Sequence, residues 1–148
     1  MTEALRFRTI LVPMDFSDLA RRALQVARDM GTRAGPAHLI LAHAVFFPAE
    51  VEAFAPAPLI AQAESQSAKE LERLLIELQD AGISSEYFSQ RGKPESVILD
   101  LARNKQADLI VMGTHGHSGL AHITLGSVAE RVVREAPCPV MTVKEPKA

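Results

Sequence analysis

Apolar residues fall along this chain in two alternating rhythms. Thr9-Ile-Leu-Val12 is a short β-branched run of strand composition that Pro13 stops. From Ser17, which can cap a helix, the apolar positions Ala20, Ala23, Leu24, Ala27 and Met30 recur at helical spacing, and Gly31 and Gly35-Pro36 end the pattern. Leu39 to Phe46 is continuously apolar apart from His43, which predicts a strand covered on both faces, as in a parallel sheet. Residues 47 to 58 carry prolines at 48, 56 and 58 among alanines without a period, and read as a surface loop. Ile60, Ala63, Ser67, Leu71, Leu74, Leu75 and Leu78 then mark one face of a long helix, ended by Asp80-Ala-Gly82. Ile83 to Gln90 alternates weakly, as a strand near a sheet edge does. Gly92-Lys93-Pro94 opens a helix whose face is Val97, Ile98, Leu101 and Ala102. Leu109 to Met112 is another buried strand, Val128, Ala129, Val132, Val133 and Ala136 form the face of a last helix, and Val140 to Val143 is a final strand.

Strand and helix thus alternate through five strands. This order predicts an α/β fold with a mostly parallel sheet and helices on both faces, because parallel neighbours need crossovers and those are right-handed. The 148 residues suit one domain. In such sheets a ligand sits at the carboxyl ends of the strands, where the winding reverses. That rule selects Pro13 to Asp15, His43 to Phe46, Gly92 and the stretch that follows Met112.

The stretch after Met112 is rich in glycine: Gly113-Thr-His-Gly116-His-Ser-Gly119, then Gly126-Ser127-Val128 at the opening of the last helix. Gly113 permits a sharp turn or close approach. Gly116 and Gly119 allow backbone N–H groups to converge on an anion. Gly126 and Ser127 would present free N–H groups and the positive end of a helix dipole. By itself the stretch reads equally as a phosphate cradle or as an ordinary turn between strand and helix.

Composition narrows the setting. With 47% hydrophobic and 23% charged residues and a mean hydropathy of +0.06, the chain is compact in character. A net charge of −2 and a pI near 6.2 point to neither a nucleic-acid surface nor a polybasic membrane patch, so neither partner is expected. One cysteine, Cys138, excludes an internal disulfide framework and fits a reducing compartment. The opening residues lack the apolar core of a signal peptide and no run is long enough to span a membrane, so a cytoplasmic location is expected.

Four motifs in order, Val12-Pro13-Met14-Asp15-Phe16-Ser17, Leu41-Ala42-His43-Ala44-Val45, Arg91-Gly92-Lys93-Pro94 and Gly113-x2-Gly116-x9-Gly126-Ser127, resemble the universal stress protein family over essentially the whole chain. The last matches the signature of its ATP-binding branch. The resemblance implies a single, open, Rossmann-like five-stranded parallel sheet of order 3-2-1-4-5 over residues 1–148. It also implies a homodimer joined through the last strand, Val140 to Val143, and an adenine nucleotide, ATP or ADP or AMP, across the strand ends. By the family pattern, Pro13, Met14, Asp15 and Ala44 lie near base and ribose. Met112, Gly113, Thr114 and Gly116 line the near side of the phosphates, and Gly126, Ser127 and Val128 receive them at the helix start. Asp15 would accept from a ribose hydroxyl; its alternative role is to cap the first helix.

The remaining candidates read more plainly. His115, His117 and His122 match no established zinc spacing and have no local cysteine, so no metal site is expected, and they read as a solvated loop with one histidine near a phosphate. His43 reads as a hydrogen-bonded core residue and Cys138 as an inert one. The loop lacks a Gly-Lys-Ser/Thr, Arg131 and Arg134 lie further along the helix, and Lys93 is the nearest lysine by topology. The resemblance therefore implies a nucleotide-dependent switch or sensor in a stress response, with Mg2+ able to bridge the phosphates and at most slow hydrolysis. The alternatives are an ATP-dependent enzyme, either an ATPase or a nucleotidyl transferase, and a nucleotide-free dimeric interaction module.

Overall fold

A computed structural model describes residues 6–33, 35–115 and 125–146. The elements are β1 (Thr9–Pro13), α1 (Asp18–Arg33), β2 (His38–Val45), α2 (Ala49–Phe54), α3 (Ala57–Asp80), β3 (Ser85–Arg91), α4 (Pro94–Asn104), β4 (Leu109–Gly113), α5 (Ser127–Glu135) and β5 (Val140–Val143). The strands form one parallel sheet in the order β3-β2-β1-β4-β5, as the resemblance implied.

Period-2 alternation divides the buried residues of each central strand between two layers. Ile10, Val12, Leu39, Leu41, Leu109 and Val111 pack with α1 and α3, through Ala23, Ala27, Leu71 and Leu78. Leu11, Ile40, Ala42, Ile110 and Met112 pack on the other face with α4 and α5, through Ile98, Leu101, Ala129 and Val132. Because β1, β2 and β4 are covered on both sides they lack alternation in the sequence, whereas edge strand β3 has only partly buried and exposed positions.

Several boundaries differ from the sequence reading. The stretch read as a loop, residues 47 to 58, contains α2 and the start of α3, with Pro48 and Pro56 as their N-caps. α2 has no apolar period because it buries nothing; Phe54 is 87% exposed. α1 continues through Gly31 to Arg33, and Gly31 is buried against Ala37 and Leu39 instead of ending the helix. β2 ends at Val45, so Phe46 lies beyond it. On α3 only Leu71, Leu74 and Leu78 of the expected face are buried, while Ile60, Ala63, Ser67 and Leu75 are partly buried. On α5, Ala129 and Val132 are buried, Val133 is exposed, and Ala136 already lies outside the helix. Among the described residues, no helix is long and apolar enough to cross a membrane.

Candidate functional site

Winding reverses between β1 and β4, and there the strand ends and the first turns of α4 and α5 enclose a cavity of about 720 Å³. This is within the range of small-molecule sites, roughly 300–1,000 Å³. Pro13, Met14 and Asp15 line it from the end of β1 and Ala44 from the end of β2. Met112, Gly113 and Thr114 line it from β4, and Gly126, Ser127 and Val128 from the start of α5. Every described residue expected at a nucleotide site therefore borders one space. Gly116, His117 and His122 lie outside the described residues.

The first wall is a tightly bonded turn. Pro13 has no N–H to give, and Met14 N–H donates to the Ala42 carbonyl at 2.8 Å as the chain leaves the sheet. Asp15 Oδ1 accepts from Ser17 N–H at 3.0 Å and from Ser17 Oγ–H at 2.5 Å. Ser17 Oγ in turn accepts from Ala20 N–H at 3.2 Å. Ser17 is thus the side chain that caps α1, while Asp15 orders the turn before it and remains exposed at the cavity. Ser17→Ala is expected to cost about 1 kcal/mol, the usual worth of such a cap, read as a lower unfolding midpoint in urea. An unchanged midpoint would mean that Asp15 alone sustains the turn.

The opposite wall is built by close approach. Gly113 abuts α1 so closely that a Cβ there would lie 2.9 Å from Leu19 Cβ. Thr114 is buried; its N–H donates to the Val143 carbonyl at 3.0 Å, and its carbonyl accepts from Gly126 N–H at 2.8 Å. Gly126 has φ −60°, open to any residue, so its glycine is needed for space: a Cβ would lie 3.1 Å from the Thr114 carbonyl oxygen. Among the described residues no side chain caps α5, whose N-cap is Gly126, so the N–H groups of its first turn face the cavity's edge without a capping side chain from these residues.

Charges are unevenly committed. Glu95 and Lys93, both at the start of α4, line the cavity but were not among the expected contacts. Glu95 pairs with Arg131 at 3.4 Å, and Arg131 also donates to Glu135 at 2.6 Å. That hydrogen bond holds the Glu135 carboxyl below its ordinary range and raises the Arg131 guanidinium. Arg134 pairs with Glu130 at 3.6 Å, so both arginines of α5 are engaged by carboxylates. Lys93 is exposed at the cavity. His115 also lines it, its Nδ1 3.0 Å from Thr114 Oγ1. Sequence spacing pointed to the Gly92-Lys93-Pro94 corner, and the residue just after it, Glu95, was the signal left unused. Cys138 is half-buried; burial first, and the charge of Asp108 second, push its thiol upward, away from nucleophilic reactivity.

Comparison with known proteins converges on one group. The family model described as "Universal stress protein family" matches residues 6–144. A universal stress protein of Methanocaldococcus jannaschii, MJ0531, is 34% identical over 146 residues, covering 95% of this chain and 84% of that relative. The solved structure of MJ0577, from the same organism, superposes with a TM-score of 0.87 at 30% identity, covering 97% of this chain and all of that one. A universal stress protein solved in complex with cAMP superposes with a TM-score of 0.71 at 27% identity, over 96% of this chain and 100% of that one.

Proposed function

The chain belongs to the universal stress protein family, and from that premise we propose that it is an ATP-binding member, a nucleotide-dependent switch or sensor in a stress response. The observation that carries this reading is the meeting of separate sequence motifs, Pro13 to Asp15, Gly113 to His115 and Gly126 to Val128, around one cavity of about 720 Å³ at the strand ends. A relative of the same fold solved with cAMP supports an adenine nucleotide as the occupant. Base and ribose take the side of Pro13, Met14, Asp15 and Ala44. Phosphates take the side of Met112, Gly113, Thr114 and Gly116, and meet the α5 start at Gly126, Ser127 and Val128.

The donor set suits holding better than consuming. Of the carboxylates at the cavity, Asp15 is occupied by the turn and Glu95 by Arg131. Neither is placed to serve readily as a base, so hydrolysis is at most slow. A Mg2+ ion would be held mainly through the nucleotide's own phosphates, where it would neutralise charge without a dedicated set of protein ligands. Among the described residues β5 is an edge strand that pairs with β4 alone, and its outer edge at Val140–Val143 offers the surface for a second copy. A cytoplasmic location accords with this role.

Calorimetric titration with ATP, ADP, AMP and cAMP tests the reading: at least one binds below millimolar concentration, and absence of binding by all four defeats it. Phosphate release faster than about one turnover per second, ordinary for an enzyme, would favour the ATP-dependent enzyme instead.

A further inference from the structure

One buried polar side chain stands behind the ribose wall without bordering the cavity. His43 follows Leu39 and Leu41 on the α1 and α3 side of β2, whereas Ala42 and Ala44 line the cavity from the other side. It is only 8% exposed, a position where an imidazole needs a partner. That partner is the Met14 carbonyl oxygen, 2.7 Å from Nδ1. A carbonyl can only accept, so the proton sits on Nδ1 and the ring donates.

We propose that His43 is a positioning residue for nucleotide binding, holding the turn that carries Asp15 in the shape that meets the ribose. This rests on the functional reading above. The β1–β2 ladder ends at the pair Pro13 and Ala42, after which the chain must leave the sheet in a defined direction. Met14 is then tied at both ends to consecutive residues of β2, its N–H to Ala42 and its carbonyl to His43. Two residues further on, Phe16 has φ +65°, a left-handed conformation that a non-glycine residue adopts only when its surroundings impose it. The Phe16 ring lies 5.1 Å from the His43 ring at 48°. One imidazole therefore grips the turn on either side of Asp15, by a hydrogen bond before it and a ring contact after it. His43 touches no ligand; it decides where the carboxylate stands.

The test compares ATP with 2′,3′-dideoxy-ATP, which lacks the hydroxyls that Asp15 would bind. Wild-type protein should prefer ATP by about 10-fold or more, the worth of hydrogen bonds to a charged acceptor. In His43→Leu and His43→Gln, neither of which returns an N–H to the Nδ1 position, that preference should fall to about threefold or less. His43→Asn, whose amide nitrogen can overlie Nδ1, should restore it. In an Asp15→Ala background, His43→Gln should change the preference no further. His43→Gln keeps a polar side chain and carries the test if the leucine variant does not fold. A folded His43→Gln protein with the full preference overturns the inference, and so does equal loss in the asparagine and glutamine variants. Wild-type protein that binds ATP without preferring it over the dideoxy compound removes the ribose role of Asp15 and the inference with it. Wild-type protein that binds neither compound defeats the functional reading itself.

Discussion

Replacing Gly126 by valine is expected to lower ATP affinity by about 100-fold, with the protein still folded. The Cβ would arrive 3.1 Å from the Thr114 carbonyl oxygen, which accepts the Gly126 N–H, and the added bulk would crowd Thr114 and His115, which line the cavity beside the first turn of α5. Losing two charge-assisted hydrogen bonds from backbone N–H to phosphate removes about 3 kcal/mol or more, which is the stated factor. Titration of the variant, with circular dichroism to confirm the fold, measures it. An affinity equal to that of the unaltered protein would show that phosphates do not sit at the start of α5. Adenosine should lose far less than ATP if, as proposed, its contacts lie on the β1 and β2 side.

Gly113→Ala should act on the fold before it acts on the ligand. Its single added methyl would lie 2.9 Å from Leu19 Cβ and close to the Leu19 backbone, neither of which can swing aside as a flexible chain end can. Overpacking of this kind costs about 1–3 kcal/mol, visible as a lower midpoint in urea with an unchanged slope. The strain falls at the start of α1, two residues after the Ser17 cap, so nucleotide binding should weaken as the turn at Asp15 shifts. A variant as stable as the original would mean that α1 and β4 separate more easily than their packing indicates.

Burial explains which parts of this architecture could be read from the chain. Leu39 to Ala42 and Leu109 to Met112 are covered on both faces, and a continuous apolar run is the direct imprint of that covering. Leu71, Leu74 and Leu78 on α3 likewise repeat at the helical period because one side meets the sheet. α2 buries no side chain, so no period existed to find, and Pro48 and Pro56 resembled loop residues although they stand at the N-caps of α2 and α3. Gly31 resembled a helix stop, but its lack of a side chain serves close packing on Ala37 and Leu39. The cavity lining shows the same division. Pro13 to Asp15, Gly113 and Gly126 stood out in the chain as a strand end and as glycines, and at the two glycines close backbone approach leaves little room for a side chain. The Glu95–Arg131 pair and the grip of His43 on Met14 join residues 36 and 29 positions apart, and spacing along a chain does not encode such pairings. The left-handed Phe16 was equally hidden, since nothing in its side chain announces it.

The six residues of α2 also say where this molecule can change at small cost. They bury no side chain, and Pro48 and Pro56 fix the backbone direction at either end, so the sheet is indifferent to what lies between. A lineage can rewrite or lengthen this segment without repacking its core, and an experimenter can place a tag there for the same reason.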